Sequence, residues 1–320
     1  MDPLSEVLRS VRLAGGVFLD VCLTAPWCVH SQLVADDCRP LLANPAQLIA
    51  FHFVTGGACQ VSVDNESPVG LRSGEIVLIP RNDVHVLATG PGLKPVSGRD
   101  LVQPAPDGGL ARVRHGGGGA ATTMICGFLA TEGEYNPLIA SLPRMLKLDV
   151  REGTSREWVE ASMRFAANEL AQGRVASSEI MSRLSELLFV EAVRNYAAKL
   201  DGQQTGWLKG IADPQVGRAL ALIHHKIGEP WSAEALASEV GLSRSAFVER
   251  FSALVGMPPI RYLTTWRLQT AKLHLRETRK TIAQLAHGVG YESEEAFSRA
   301  FKREFGVAPA HWREQQAQAS

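Results

Sequence analysis

The stretch that decides the fold reads Trp231-Ser-Ala-Glu-Ala-Leu-Ala-Ser-Glu-Val-Gly241-Leu-Ser-Arg-Ser-Ala-Phe247-Val-Glu-Arg-Phe251. It is copied further on as Lys280-Thr-Ile-Ala-Gln-Leu-Ala-His-Gly-Val-Gly290-Tyr-Glu-Ser-Glu-Glu-Ala-Phe297-Ser-Arg-Ala-Phe301. Leu236, Ala237, Val240 and Gly241 return 49 residues later as Leu285, Ala286, Val289 and Gly290. Phe247, Phe251, Gly256 and Pro259 return 50 residues later as Phe297, Phe301, Gly306 and Pro309, so one residue is inserted in the second turn.

Each copy predicts a helix-turn-helix. Ser232 and Thr281 are N-cap types that open the first helix. Leu236/Val240 and Leu285/Val289 form its buried face, with Ala237 and Ala286 small where two helices cross. Gly241 and Gly290 supply the left-handed backbone of a sharp turn. Phe247/Phe251 and Phe297/Phe301, spaced i, i+4, anchor the second helix. The residues left outward are Ser243, Arg244, Ser245, Glu249 and Ser252 in one copy. In the other they are Ser293, Glu294, Glu295, Ser298, Arg299 and Lys302. A core-anchored helix with such a face suits the major groove of double-stranded DNA. Residues 260–276 predict a connecting helix about 25 Å long, a fair match to major-groove entries about 34 Å apart. A helical solenoid would need about three stacked copies, and there are two.

Residues 213–313 resemble the DNA-binding domain of AraC/XylS-type transcription regulators. Tyr262-Leu-Thr-Thr-Trp-Arg267-Leu-Gln-Thr-Ala271-Lys-Leu-His-Leu275 resembles the family's linker helix, and Phe301-Lys-Arg-Glu-Phe305-Gly-Val-Ala-Pro309 its closing signature. Trp27, Phe51-His-Phe-Val, Gly74-Glu-Ile-Val-Leu-Ile-Pro80-Arg-Asn-Asp-Val-His85 and Cys126-Gly127 resemble the cupin-type sensor domain of one branch of that family. The resemblance implies regulation of transcription, activation more often than repression, and contact with RNA polymerase where the protein activates.

Upstream of the repeat the pattern changes. VFLDVCL (17–23), LIAFHFV (48–54), CQVSVD (59–64), EIVLIP (75–80) and TTMICGFL (122–129) read as short strands. Thr55-Gly56-Gly57 reads as a hairpin turn between two of them. Even spacing of short strands suggests a small barrel or sandwich. The expected fold class is α+β with two main domains: an N-terminal cupin or jelly-roll-like β-barrel followed by a helix pair, then an all-α double helix-turn-helix. The Gly- and Pro-rich run 90–121, ending in Gly116-Gly117-Gly118-Gly119, reads as a mobile loop or lid; no Lys-Ser/Thr follows it, so a phosphate loop is not indicated. Apolar residues at helical spacing near Trp158–Leu170 and Ile180–Val193 predict two amphipathic helices that pair and dimerise. The resulting division is 1–150 sensor barrel, 151–201 helix pair, 202–206 linker (GQQTG) and 207–320 DNA-binding domain.

Composition excludes several classes. The 320 residues are 45% hydrophobic and 21% charged, which is globular and not disordered composition. Lys+Arg and Asp+Glu are 33 each, but residues 210–320 hold 14 basic and 11 acidic groups, leaving 19 and 22 upstream; the C-terminal third is the basic part. No apolar run reaches membrane-spanning length, and MDPLSEVLRS does not read as a secretory signal, so a cytoplasmic protein without a membrane partner is expected. The five cysteines are Cys22, Cys28, Cys38, Cys59 and Cys126; an odd count without CxxC in a reducing compartment argues against a disulfide scaffold.

The cupin likeness raises the question of an enzyme. Gly74-x5-Pro80-x4-His85 matches the second cupin motif with Asn82 where glycine is usual. In the first motif His52 is present, but Val54 replaces the second His and Cys59 stands where the Glu could fall. An enzyme is therefore not expected, and a metal-dependent cupin enzyme with a vestigial helical domain is the alternative that this gap argues against. His52, Cys59, His85 and Cys126 lie on four predicted strands. If alternation turns all four inward they make a soft tetrahedral set for Zn²⁺, His52 and Cys59 lying side by side across a hairpin. The competing expectations are a thiol sensor of oxidants or electrophiles and an organic effector with the cysteines as packing residues. His224-His225 read as surface and boundary residues, and Trp207, Trp231, Trp266 and Trp312 as packing anchors. The expected function is a sequence-specific DNA-binding regulator, an activator and homodimer that responds to a small-molecule effector or a redox signal.

Overall fold

The structure is a computed structural model that describes residues 13–38, 45–64, 66–104, 110–131, 136–150, 161–162, 165, 177–199 and 206–319. Two compact units emerge: one from the described residues of 13–131 and 142–199, the other from 206–319 with 136–141.

The first unit holds β1 (Leu13–Thr24), β2 (Cys28–Ser31), β3 (Gln47–Gly56), β4 (Ala58–Val63), β5 (Val69–Arg72), β6 (Glu75–Ile79), β7 (His85–Ala88), β8 (Val96–Ser97), β9 (Val102–Gln103), β10 (Ala111–Gly116), β11 (Ala121–Thr131) and β12 (Leu146–Asp149). They form a seven-stranded sheet, β12-β6-β3-β11-β1-β10-β9, and a five-stranded sheet, β5-β4-β7-β2-β8. The inward faces meet in one core that includes Val21, Leu23, Trp27, Val54, Val61, Val77, Leu87 and Met124. Two helices flank β12 in the chain, α1 (Pro137–Ser141), which belongs to the other unit, and α2 (Ser177–Ala198). α2 packs against β1 and buries Leu188, Phe189, Ala192 and Val193.

Three expectations are corrected here. The expected barrel does not close: each sheet is open, ending at β12 and β9 or at β5 and β8, and closure needs the end strands to pair. Short, evenly spaced strands carry no information on which edge pairs with which. Secondly, Thr55-Gly56-Gly57 is not a hairpin turn. β3 and β4 lie in different sheets, and the chain crosses between them at Gly57, with φ of 75°. Thirdly, the run 90–121 is not wholly loop, since β8, β9 and β10 fall within it and β10 pairs in parallel with β1. Its tetraglycine packs tightly on Thr24–Pro26. Gly117 and Gly119 N–H donate to the Thr24 and Ala25 carbonyls at 2.8 Å each, and a Cβ on Gly116 would lie 1.9 Å from the Thr24 oxygen. The first expected helix of the pair, near 158–170, lies outside the described residues apart from 161–162 and 165, and so does the linker apart from Gly206.

The second unit holds α3 (Trp207–Ala212), α4 (Pro214–His225), α5 (Ala233–Glu239), α6 (Arg244–Val255), α7 (Pro259–Glu277), α8 (Ile282–Gly288), α9 (Glu294–Phe305) and α10 (Pro309–Ala319). The repeat forms as the sequence predicts. Ser232 caps α5 by accepting from Ala235 N–H at 3.1 Å. Thr281 and Gln284 close a capping box on α8. Gly241 and Gly290 turn with φ of 71° and 85°. Phe247, Phe251, Phe297 and Phe301 are fully buried. The rod α7 serves both copies. Its Tyr262 stacks edge-on to Phe251 at 5.8 Å, while Leu268, Ala271 and Leu275 join the second copy's core. Arg267, midway along, donates from Nε to the Ile227 carbonyl at 2.9 Å and from Nη2 to the Glu229 carbonyl. Its guanidinium also packs against Gly290. One side chain thus ties the loop after α4 to the second turn.

Candidate functional site

Each second helix of the repeat, α6 and α9, presents an exposed polar face. Ser243, Arg244, Ser245 and Glu249 are exposed on one; Glu294, Glu295, Arg299 and Lys302 are exposed on the other, with Ser293 and Ser298 half-buried. Two serines also hold their helices. Ser243 Oγ accepts from Ala246 N–H at 3.3 Å, and Ser293 Oγ from Ala296 N–H at 3.2 Å. Arg244 is ion-paired to Glu234 of α5 at 2.5 Å. Behind the first copy, Trp207 Nε1 donates to the Tyr262 hydroxyl at 2.7 Å, and His224 Nε2 lies 2.7 Å from that hydroxyl. Trp266 lies over the His224 ring at 4.1 Å between centroids. His224 is therefore a half-buried boundary residue and His225 an exposed one, as the sequence predicts. Burial lowers its pKa to about 3, so it is neutral.

A cavity of about 650 Å³ opens in the sandwich unit. Leu19, Val21 and Leu23 of β1 line it at alternate positions, as the two-residue period of a strand requires. Val29, Leu87, Val113 and Met124 add apolar wall, and Arg99 and Asp37, paired at 3.0 Å, lie at its partly exposed rim. Sequence reasoning missed part of this lining because β10 and the Arg99 turn lie in the run read as loop, and the rest because it comes from strands whose pairing no local pattern encodes. The alternation Leu19-Val21-Leu23 was the available signal.

His52 and Cys126 also line the cavity. They are directly opposed on β3 and β11, and His52 Nδ1 lies 2.9 Å from Cys126 Sγ. His52 Nε2 lies 2.7 Å from His85 Nε2 on the facing sheet, and His85 Nδ1 lies 2.9 Å from the Asp83 carbonyl. A carbonyl only accepts, so His85 Nδ1 carries the proton and its Nε2 accepts. His52 therefore donates from Nε2 and accepts at Nδ1, and the Cys126 thiol donates to it. Burial drives the pKa of His52 well down, the neighbouring His85 adding to the effect, and drives down that of His85, so both rings are neutral. Burial also pushes the Cys126 thiol up, and the Cys59 thiol up to about 12.

This geometry overturns the expected Zn²⁺ site. The His52 nitrogens point at Cys126 and His85 rather than at a common centre, and Cys59 stands on β4 of the facing sheet, outside the hydrogen-bonded chain. Among the described residues no group of three or more His, Cys, Asp or Glu side chains is arranged to hold a metal ion.

Comparison with known proteins agrees with both units. Residues 2–198 match a family profile described as cupin, and residues 236–315 one described as helix-turn-helix domain. A putative AraC-like transcription regulator of Streptomyces lividans is 31% identical, over 98% of this chain and 98% of its own. The chain belongs to the AraC/XylS family of helix-turn-helix regulators, with an N-terminal cupin-type domain. The regulator AlkR of Acinetobacter baylyi is likewise 31% identical, over 98% of this chain and all of its own. The RCS-specific transcriptional activator RclR of Escherichia coli is 27% identical over 98% of each chain. Family membership makes the protein a sequence-specific DNA-binding regulator of transcription and sets aside the cupin-enzyme alternative. No helix among the described residues is long and apolar enough to cross a membrane.

Proposed function

We propose that this AraC/XylS regulator activates transcription in response to a small apolar molecule held in the sandwich cavity. The cavity itself carries the reading: about 650 Å³ lies within the range that encloses small organic ligands, roughly 300–1,000 Å³, and its wall is largely aliphatic. Sensing by oxidation of Cys28 or Cys59 is the weaker reading, because both are buried and burial raises each thiol pKa, against the thiolate that oxidation needs. The protein acts as a homodimer through α2; exposed Leu187 on it supports this. The activator role is supported by the similarity to RclR of Escherichia coli, itself a transcriptional activator, and as an activator this protein would contact RNA polymerase.

On DNA, α6 reads with Arg244, Ser245 and Glu249 beside Ser243, and α9 with Glu294, Glu295, Ser298, Arg299 and Lys302 beside Ser293. Glu294 and Glu295 would repel phosphate, so at least one faces a cytosine edge or the open groove. The experiment selects the operator from random DNA with the full chain, then measures transcription from it by RNA polymerase with and without apolar ligands that raise the melting temperature. Val113→Trp, which fills the cavity, is expected to abolish both the melting shift and the ligand response while leaving operator affinity intact. A Val113→Trp protein that still responds like the parent would reject the cavity as the effector site.

A further inference from the structure

We propose that the cavity captures its effector covalently, Cys126 being a nucleophile for apolar α,β-unsaturated ketones and related conjugate acceptors. This deepens the reading above and rests on the cavity as effector site. The observation is the polarised chain Cys126–His52–His85–Asp83, whose first two members line the cavity and whose last lies on the facing side of the sandwich. Two buried histidines that merely satisfied one another would need neither a thiol donor at the head of the chain nor a cavity in front of it. Here the proton-bearing sulfur, a soft nucleophile, faces an aliphatic space, with a neutral imidazole nitrogen 2.9 Å behind it.

The chain gives the thiol proton somewhere to go. As sulfur bonds to the β-carbon of the enone, the C=C π pair shifts toward the carbonyl oxygen and the thiol proton passes to His52 Nδ1. His52 can then lend its Nε2 proton to His85 Nε2, which spreads the positive charge toward Asp83. The Asp83 carboxylate pairs with Arg144, whose Nε is 3.1 Å away, and lies near enough to His85 to favour its protonated form. When the protons return, the enolate takes one at its α-carbon from His52 Nδ1. The sum is addition of S–H across C=C, with no oxidant, reductant or leaving group. The product is a neutral thioether in an apolar cavity, whereas oxidation would leave a polar sulfur acid there. At rest the thiol stays protonated, because its burial favours the neutral form.

The test uses the full chain, benzylideneacetone as enone and benzylacetone as its saturated counterpart. Intact mass and peptide mapping should show one benzylideneacetone adduct per chain, on Cys126, and none with benzylacetone. Cys126→Ala, shown folded by its melting transition, should lose the adduct. His52→Gln should slow the limiting rate of adduct formation by about a hundredfold or more, as loss of a general base does, with little change in the enone concentration giving half that rate. Adduct on Cys22 in place of Cys126, or an unchanged rate in a folded His52→Gln protein, overturns covalent capture through this chain. If no adduct forms but benzylacetone and benzylideneacetone both raise the melting temperature, capture is wrong and the cavity reading survives. If neither ketone binds, both readings fail for this ligand class.

Discussion

Asn82 shows what one side chain settles. It occupies the glycine position of the cupin motif with φ of 50°, a left-handed conformation that asparagine tolerates better than most residues. Its amide accepts from Leu33 N–H at 3.0 Å and donates to the Leu33 carbonyl at 2.8 Å, so it pairs with backbone much as a strand would. The departure from the motif was visible in the sequence; its partner, 49 residues away, was not. His224 makes a pH prediction. Its pKa falls from 6.5 to about 3 on folding, so the unfolded chain binds a proton that the folded chain refuses. The stability it supports is complete above about pH 6.5 and is lost as pH falls toward 3, by up to about 1.4 kcal/mol per pH unit. His52 and His85, also lowered, act in the same sense. Melting temperatures should be flat above pH 7 and decline below 6.5, with a shallower decline in a folded His224→Gln protein. An equal slope in that variant would contradict the assignment.

At the scale of elements, the two turns look alike in sequence and differ in surroundings. A Cβ on Gly241 meets nothing within 4 Å, so Gly241→Ala should cost about 1–2 kcal/mol for its left-handed backbone alone. A Cβ on Gly290 would lie 2.5 Å from Arg267 Nη2 and 2.8 Å from the Gly228 carbonyl, so Gly290→Ala must also displace the Arg267 tie. Urea unfolding should rank Gly290→Ala as clearly the more damaging; equal losses would mean that the tie carries no strain. On the reading helices, Arg299 and Lys302 are both exposed, and different behaviour is expected. Arg299→Ala should relax base preference at one part of the site by about 1–3 kcal/mol, as loss of a bidentate guanine contact does. Lys302→Ala should weaken all sequences alike. Binding measured across single-base operator variants separates the two, and an Arg299→Ala protein with unaltered preference would refute its role. The helices were legible because caps, turn glycines and i, i+4 phenylalanines act within a few residues of one another. The sandwich was legible only as strands. Which strand faces which is decided by pairings such as Cys22 with Arg114 across β1 and β10, and no local pattern encodes them.

For the molecule as a whole, the helical unit carries its own core, from Trp207 and Leu220 through Phe251 to Phe301 and Trp312. A fragment of residues 206–320 should fold cooperatively and bind the operator. It should bind more weakly than the full chain if two linked units engage neighbouring sites, because linkage raises effective concentration. Chemical denaturation and DNA titration of the fragment measure both; an unfolded fragment, or one binding as tightly as the full chain at every concentration, would remove the modular dimer.

The Arg267 tie reaches beyond stability. A dimer of single reading heads mirrors its own two-fold axis in a palindrome. On the proposed reading, one chain carries two unlike heads, with exposed Arg244 and Glu249 on one and exposed Glu294, Arg299 and Lys302 on the other, fixed to the two ends of one rod. The text they read has a beginning and an end. Turning the site of one chain around on the chromosome would therefore turn that chain with it, and with the chain whichever flank it presents. If the two helices read DNA as proposed, a rigid rod with unequal ends gives each chain a heading on its own half of the operator.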